Sequence, residues 1–178
     1  MKRAIFLDRD GVINSANVIN GLPFPPKDFD GLKILPGVQQ ALTAFRQEGY
    51  LLIVITNQPD VARGKILASD VEKINNSLKE TLALDYFFTC YHDDADNCDC
   101  RKPRPGSILK AAHKYQIDIK NSFMIGDRWR DIEAGRSAGC KTAFIDYNYK
   151  EKKPTNYDIK VETLFEAAEK ILEKKIYE

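Results

Sequence analysis

Two carboxylates separated by one residue follow the first apolar run of the chain. Residues 4–7 are apolar, Asp8 and Asp10 come next, and Gly11 closes the motif. Such a run predicts a buried strand of a parallel sheet, and ligands bind at the carboxyl ends of such strands. The two carboxylates share one face of an extended chain, so they repel unless a shared proton or a hard cation such as Mg²⁺ relieves them. Taken alone, so short a motif more often marks a strand that ends in a polar turn.

Polar residues also follow later apolar runs. Residues 51–55 lead into Thr56 and Asn57, and residues 122–125 lead into Gly126 and Asp127. Asp131 lies four residues beyond Asp127, on the same side of a predicted helix, although a plain N-terminal cap of that helix is a competing interpretation. The ends of parallel strands meet at one edge of a sheet, so we expect these side chains to gather there.

The segment 90–100 carries almost no apolar residues, and burial alone cannot hold it together. It contains Cys90, His92, Cys98 and Cys100, which are four possible ligands of a tetrahedral zinc ion. Their spacing is tighter than in ordinary zinc fingers, so zinc and free thiols in a polar loop are equally acceptable interpretations. A zinc ion held by four protein ligands would be structural. We interpret Cys140 as a core thiol.

A basic run follows this segment without a gap: Arg101, Lys102, Pro103 and Arg104. An isolated run of this composition is typical of a solvated linker. Its position directly after the possible metal ligands indicates instead that the loop holds these cations in place. His113 falls on a predicted helix and is interpreted as a surface histidine.

The remaining pattern supplies the elements that must position these residues. Helices are predicted from Pro36 to Gly49, after a capping box at 69–72, from a Ser107 cap, between Asp127 and the glycine pair Gly135 and Gly139, and over 162–175. Further strands are predicted at 86–89 and 141–147, and loops at 14–35 and 150–154. Strands that alternate with helices predict a single α/β domain over 1–178, a doubly wound parallel sheet with helices on both faces and no large cap domain.

Composition excludes several classes of protein. The 27 Lys and Arg residues balance 26 Asp and Glu residues, so no basic field favours nucleic acid and no acidic excess favours disorder. No apolar run approaches the length of a membrane span, and the N-terminal run is too short for a signal peptide. We therefore expect a cytoplasmic monomer with no membrane or nucleic-acid partner.

The motifs, taken together, resemble those of the haloacid dehalogenase superfamily of phosphatases. The resemblance covers residues 4 to about 147: D-x-D-G at 8–11, T-N at 56–57, a lysine at 102 and G-D-x-x-x-D at 126–131. Finer features look like the heptose 1,7-bisphosphate phosphatases, and the histidinol phosphatases share much of the pattern. These features are F-L-D-R-D-G-V-I-N, T-N-Q, A-R-G-K at 62–65, the C-x-H and C-x-C pairs, and C-R-K-P.

The resemblance implies hydrolysis of a phosphomonoester in two steps. Asp8 would be the nucleophile that forms an aspartyl-phosphate, and Asp10 would act as general acid and then as general base. Mg²⁺ would be bound by the Asp8 carboxylate, the Asp10 backbone carbonyl, Asp127 and waters. Asp131 would orient Lys102 or a metal-bound water.

The resemblance also implies residues that hold the substrate. Lys102 and the Thr56 hydroxyl would hold the phosphoryl oxygens. Substrate contacts would come from Asn57, Gln58 and Arg101, with Arg63 or Arg128 on a second anionic group. The chain departs from the heptose phosphatases at Pro59-Asp60-Val61, at Tyr91 and at Arg128-Trp129-Arg130. The expected substrate is a small phosphorylated sugar, with histidinol phosphate or a nucleic-acid 3′-phosphate as alternatives.

Overall fold

The computed structural model describes residues 1–26 and 28–173. Its strands are β1 (Arg3–Leu7), β2 (Asn17–Ile19), β3 (Leu22–Phe24), β4 (Tyr50–Asn57), β5 (Tyr86–Cys90), β6 (Phe123–Gly126), β7 (Lys141–Ile145) and β8 (Ile159–Val161). Its α-helices are α1 (Val38–Gln47), α2 (Ala68–Leu82), α3 (Gly106–Tyr115), α4 (Trp129–Ala138) and α5 (Leu164–Glu173).

Six strands form one sheet in the order β5-β4-β1-β6-β7-β8, and every neighbouring pair is parallel. The short antiparallel pair β2-β3 stands apart from it. Strand β1 lies inside the sheet, with β4 on one side and β6 on the other. The chain therefore leaves β1 toward one half of the sheet and later returns to build the other half, which opens a crevice beyond the carboxyl end of β1.

Apolar clusters cover both faces of the sheet. On one face, Leu7 and Val54 pack with residues of α1, α2 and α5. On the other, Phe6 and Ile55 pack with residues of α3 and α4. Alternate residues of one strand thus enter opposite cores, which explains why β1 and β4 read as continuous apolar runs. The predicted doubly wound α/β sheet is confirmed.

Three local predictions about helix ends are wrong. Ser69 does not cap α2, because that helix begins at Ala68 and its N-terminus has no side-chain cap. Ser107 lies inside α3, where its hydroxyl donates to the Cys100 carbonyl at 3.0 Å. Gly135 lies within α4, and an added Cβ there would stand 2.5 Å from the Met124 Cβ, so this glycine permits close packing of the helix on β6 while Gly139 ends the helix.

The segment 14–35, predicted as a loop over the end of β1, contains the hairpin β2-β3. Its second strand supplies Leu22, Pro23 and Phe24 to the crevice beyond β1. Strand β8 is a further element that the sequence pattern did not predict. The predicted C-terminal helix corresponds to α5, and the part of that prediction at 174 and 175 lies outside the described residues. None of the helices in the described ranges has the length and apolar character needed to cross a membrane.

Candidate active site

Three carboxylates meet beyond the ends of β1 and β6. Asp8 follows β1, Asp127 follows β6 and Asp131 lies in the first turn of α4. One carboxylate oxygen from each of the three lies within 4.8 Å of the others. Asp127 and Asp131 are almost fully buried, and Asp8 is 8% exposed. The predicted convergence of these side chains on one edge of the sheet is what the structure shows.

Lys102 brings a positive charge into this cluster. Its Nζ lies 2.7 Å from Asp8 Oδ1, 2.7 Å from Asp131 Oδ1 and 2.6 Å from the Ile55 carbonyl oxygen. The side chain of Asn57 holds the backbone of Lys102 from both directions, because its Nδ2 donates to the Lys102 carbonyl at 3.0 Å and its Oδ1 accepts from the Lys102 N–H at 3.1 Å. The end of β4 thereby fixes the loop that carries the lysine.

Asp131 combines the two roles that the sequence left open. Its Oδ2 accepts a hydrogen bond from the Arg128 backbone N–H at 2.9 Å, which caps α4. Its Oδ1 contacts the ammonium group of Lys102. The residue is therefore a helix cap and a partner of the buried lysine at once.

Two glycines make room for these carboxylates. An added Cβ on Gly11 would lie 2.0 Å from Asp127 Oδ2, and one on Gly126 would lie 2.1 Å from the Asp131 Cβ. Gly11 also has φ +89°, a left-handed conformation that side chains disfavour. Any larger residue at either position would displace a carboxylate from the cluster.

Burial shifts the proton affinities of the cluster. Burial raises the pKa of Asp8 to about 6, and the charges of Asp131 and Asp10 add to this rise while Lys102 opposes it. Burial, reinforced by the charges of Asp8 and Asp131, raises the pKa of Asp127 well above its ordinary value. For Lys102, burial acts to lower the pKa, but the charges of Asp131 and Asp8 outweigh it and raise that pKa.

The donor set fits a divalent cation. Neither carboxylate oxygen of Asp127 makes a hydrogen bond of standard geometry with any described residue, although the Tyr149 hydroxyl lies near enough to oppose the rise of the Asp127 pKa. Three carboxylates face one ammonium group, so the ionised cluster carries two negative charges that lack a partner. Hard oxygen donors of this kind suit Mg²⁺. Asp8 and Asp127 would hold the ion, because both oxygens of Asp131 already have partners, Lys102 at Oδ1 and the Arg128 N–H at Oδ2, whereas Lys102 contacts only Oδ1 of Asp8.

Asp10 follows Asp8 by two residues and receives hydrogen bonds from three side chains. Its Oδ1 accepts from Asn14 Nδ2 at 2.9 Å, its Oδ2 accepts from Gln58 Nε2 at 2.8 Å, and Arg9 Nη2 donates to both oxygens at 3.1 Å. The same Gln58 nitrogen donates to Thr56 Oγ1 at 2.9 Å. The Thr56 hydroxyl therefore accepts this bond and keeps its own proton for another partner.

A cavity of about 280 Å³ opens over Asp8, Asp10 and Lys102. The hairpin segment 22–25 lines one side. Four arginines line the cavity as well: Arg63, Arg101, Arg128 and Arg130. Each of them faces a carboxylate: Arg63 contacts Asp93 at 2.6 Å, Arg101 and Arg130 contact Asp94 at 2.8 and 3.1 Å, and Arg128 Nε contacts Glu151 at 3.0 Å.

The four soft ligands after β5 also form one cluster. Cys90 Sγ lies 3.2 Å from Cys100 Sγ and 3.7 Å from Cys98 Sγ, and His92 Nδ1 lies 3.3 Å from Cys100 Sγ. A tetrahedral zinc ion with ordinary bond lengths needs S···S distances of about 3.8 Å and S···N distances of about 3.6 Å. All four cysteines of the chain are free thiols. This cluster therefore has the composition and approximate size of a zinc site, in which His92 would offer its Nδ1 atom.

The structure modifies the expectations for several substrate contacts. The Asn57 amide donates to the backbone of Lys102, and the Gln58 amide donates to Asp10 and Thr56. Contact of these two residues with a substrate stays a prediction. Arg9, Asn14 and Asn75 belong to the same hydrogen-bond network and were missed by the sequence reasoning. A signal for Asn75 was present, since it is a polar residue beside Ile74 and Leu78 on the apolar face of α2.

Comparisons with known proteins agree with this geometry. A family model described as haloacid dehalogenase-like hydrolase matches residues 26–139. A relative from Helicobacter pylori (strain ATCC 700392 / 26695), named D-glycero-beta-D-manno-heptose-1,7-bisphosphate 7-phosphatase, is 38% identical over 149 residues, which are 80% of this chain and 83% of that protein. A relative from Campylobacter jejuni, named for the alpha anomer of the same sugar, is 34% identical over 148 residues, 80% of this chain and 81% of that protein.

A solved structure shares the whole architecture. The crystal structure of a D,D-heptose 1,7-bisphosphate phosphatase from B. bronchiseptica, complexed with magnesium and phosphate, superposes with a TM-score of 0.84 at 30% identity. The similarity covers 98% of this chain and 99% of that one.

Proposed function

Since this chain belongs to the haloacid dehalogenase-like hydrolases, we propose that it is a Mg²⁺-dependent phosphatase of a phosphorylated sugar, with a single catalytic domain. The favoured substrate is a heptose 1,7-bisphosphate, from which the enzyme removes the 7-phosphate. One observation carries the proposal: Asp8, Asp127, Asp131 and Lys102 converge on one edge of the sheet. The names of the most similar relatives support the choice of sugar.

The first step forms a covalent intermediate on Asp8. A carboxylate oxygen of Asp8 attacks phosphorus while the bond from phosphorus to the sugar oxygen breaks. Asp10 gives its proton to that oxygen, so the sugar leaves as a neutral alcohol and Asp10 becomes a carboxylate. Lys102, which lies 2.7 Å from Asp8, stabilises charge on the phosphoryl oxygens, and the Thr56 hydroxyl donates to one of them.

The second step returns the enzyme to its starting state. Asp10 takes a proton from a water molecule, whose oxygen attacks the phosphorus of the aspartyl-phosphate. The bond between phosphorus and Asp8 breaks, inorganic phosphate leaves, and Asp10 is again protonated. When bound by Asp8, the Asp10 carbonyl and Asp127, Mg²⁺ supplies the charge neutralisation that lets a carboxylate approach a phosphate dianion. Asp131 keeps Lys102 in place throughout.

The arginines that line the cavity support a substrate with a second phosphate. A phosphomonoester with one anionic group uses Lys102 and the cation, and it needs no further positive charge. Arg63, Arg101 and Arg128 line the same cavity. In our proposal a retained phosphate competes with Asp93, Asp94 and Glu151 for these guanidinium groups. Arg63 and Arg128 are partly solvated, so their ion pairs are of modest strength, whereas Arg101 is buried.

We also propose that Cys90, His92, Cys98 and Cys100 hold one structural zinc ion. Four protein ligands leave no position for a substrate, so the ion has no chemical role. Its role is to hold the loop whose C-terminal end carries Arg101 and Lys102. About one zinc ion per purified chain is expected by elemental analysis, and a metal-free protein that remains fully folded and active would remove this part of the proposal.

A phosphate-release screen tests the choice of substrate. The panel contains both anomers of D-glycero-D-manno-heptose 1,7-bisphosphate, histidinol phosphate and an oligonucleotide with a 3′-phosphate. We expect the highest kcat/KM for one heptose anomer, release of one phosphate, and retention of the 1-phosphate in the product, which ³¹P NMR detects. Turnover of histidinol phosphate alone would end the heptose assignment.

A further inference from the structure

Arg9, the middle residue of the D-x-D motif formed by Asp8 and Asp10, is a buried cation. It is 1% exposed and does not line the substrate cavity. Nε and Nη2 of its guanidinium both donate to Asp10, at 3.1 to 3.2 Å. Nη1 donates in another direction, to Asn75 Oδ1 at 2.9 Å. One planar group therefore links Asp10 to a residue of a distant helix.

Asn75 lies on α2 and is 1% exposed. Its Nδ2 donates to Thr89 Oγ1 on β5 at 3.1 Å, while its Oδ1 accepts from Arg9. A rotation of the amide by 180° would bring Nδ2 against a donor of Arg9, whereas the Thr89 hydroxyl can either accept or donate. The bond to Arg9 therefore sets which way the amide faces, and the bond to Thr89 holds the side chain in place. The Asn75 amide is thus held between Arg9 and a strand that lies outside the site, with its oxygen facing Arg9.

A guanidinium group is flat, and its donors keep fixed directions relative to each other. When Asn75 holds Nη1, it also determines the plane in which Nε and Nη2 reach Asp10. Loss of the Asn75 oxygen would leave a buried N–H of a cation without an acceptor, a costly condition that the side chain relieves by turning toward another partner. Asp10 would then lose the donor that contacts both of its oxygens.

We infer that Asn75 is a positioning residue for Asp10, acting through Arg9, and that it aligns the Asp10 carboxyl group with the oxygen of the leaving sugar. The inference rests on the proposed function, because it concerns proton donation by Asp10 in the first step. In that step the proton moves from Asp10 to the leaving oxygen as the P–O bond breaks. A misaligned Asp10 slows this transfer without changing the attack by Asp8.

The leaving group separates this role from a purely structural one. A sugar alkoxide needs the proton as it leaves, whereas p-nitrophenolate leaves without one. The value of kcat/KM reports events up to formation of the aspartyl-phosphate, so it isolates the first step from the later use of Asp10 as a base. Misalignment of Asp10 must therefore lower kcat/KM for an alkyl phosphate much more than for an aryl phosphate.

The experiment compares Asn75→Leu with wild type on D-glycero-β-D-manno-heptose 1,7-bisphosphate and on p-nitrophenyl phosphate. Leucine has a similar volume and removes both hydrogen bonds of the amide. We expect kcat/KM to fall about 30-fold for the heptose substrate and less than about threefold for the aryl phosphate. The 30-fold loss is smaller than the whole contribution of a general acid, because Asp10 is misaligned and not removed. Asp10→Asn provides the reference for complete loss of the acid.

Ile74→Val is the matched control, because Ile74 is buried in the same helix and its truncation loosens packing without touching Arg9. It should change both substrates by the same factor. If Asn75→Leu also changes both by the same factor, the inference is wrong. If that variant does not fold, Thr89→Val decides, since it removes the hydrogen bond that holds the Asn75 side chain in place from β5. An alkyl-to-aryl ratio equal to that of wild type in Thr89→Val would overturn the inference equally.

Failure of the proposed function has a different signature. A wild-type protein that hydrolyses neither phosphomonoester in the presence of Mg²⁺ contradicts the proposed function and, with it, the inference. A wild-type protein that hydrolyses both substrates, together with variants that keep its alkyl-to-aryl ratio, contradicts the inference alone.

Discussion

The carboxylate cluster and the Cys/His cluster differ in what holds them in place. Asp8 and Asp127 follow two adjacent strands in the middle of the sheet, and both are buried. Cys90 ends the edge strand β5, and the loop after it exposes His92 and most of its polar neighbours. The first cluster is assembled by the two apolar cores of the fold. The second has little buried surface of its own, so in our proposal a bound zinc ion keeps its ligands together.

From this difference we expect the carboxylate cluster, and not the Cys/His cluster, to keep its structure when its metal is removed. A site assembled by the sheet keeps its shape without the ion and loses only chemistry. A site held by its ion loses structure first, and chemistry follows because Lys102 lies two residues beyond Cys100. Four predictions, given in order of decreasing expected effect, test this difference between the two clusters.

The largest effect is expected for Asp8→Asn. The amide cannot form the acyl-phosphate at a useful rate, and activity should fall by a factor on the order of 10⁴ or more. The thermal unfolding temperature should stay the same or rise, because the change removes a buried charge whose pKa burial raises to about 6. Activity assays and calorimetry check this pair of results. Turnover like that of wild type would refute the nucleophile assignment.

Lys102→Met tests the carboxylate cluster by removing its ammonium group. Methionine fills the space of the lysine stem but leaves Asp8 and Asp131 without their cation, so we expect a loss of about 3 to 5 kcal/mol in the free energy of unfolding measured without Mg²⁺. Activity should fall by about 10³-fold. Urea denaturation checks the stability, and Lys110→Met, on the exposed part of α3, is the control. Equal stability of the two variants would contradict the role of Lys102 as the partner of buried carboxylates.

Chelation compares the two sites in one preparation. Removal of Mg²⁺ alone should abolish activity reversibly with no change in circular dichroism. Removal of zinc should lower the unfolding free energy by about 2 kcal/mol, which corresponds to about 4 to 8 °C in Tm for a chain of this size. Cys98→Ser should reproduce the second effect, while the control Cys140→Ser should retain its zinc, since Cys140 lies in the apolar cluster on α3 and α4. Loss of structure on removal of Mg²⁺ would reverse the comparison.

The smallest effect is expected for Gly11→Ala. The added Cβ would meet Asp127 Oδ2 at 2.0 Å, so the carboxylate must move while the strand behind it stays. We expect the Mg²⁺ concentration for half-maximal activity to rise about tenfold. Gly49→Ala is the matched control, because Gly49 also has a positive φ and nothing lies within 4 Å of its added Cβ. A similar Mg²⁺ requirement in both variants would contradict the view that Gly11 makes room for Asp127.

Sequence reasoning located most strands of the main sheet well and three helix ends poorly. The apolar runs of β1, β4 and β6 were visible because strands covered on both faces need apolar residues at every position. The predicted caps at Ser69 and Ser107 failed because a hydroxyl near a helix start can equally bond elsewhere, as Ser107 does with the Cys100 carbonyl. The hairpin β2-β3 was missed because its strands are only three residues long, Gly21 lies between them and Pro23 lies within the second.

Roles assigned to amide side chains show a second limit. Gln58 and Asn57 follow a strand that ends at the site, and position alone suggested contact with a substrate. The structure pairs them with Asp10, Thr56 and the backbone of Lys102. Hydrogen-bond partners depend on distances between segments that are far apart in the chain, and no local pattern contains those distances.

The sequence by itself determined the chemistry of this protein, because residue type decides which side chains can attack phosphorus, transfer a proton or bind a hard or soft cation. The parallel arrangement of the strands likewise followed from the alternation of strands and helices along the sequence. Only the tertiary structure decided how the side chains are paired: Lys102 between Asp8 and Asp131, and Arg9 between Asp10 and Asn75. The physical reason is that a buried charge keeps its charge only beside a partner. Folding brings Lys102 to Asp131 and to Asp8 across 29 and 94 residues of chain, and Arg9 to Asn75 across 66.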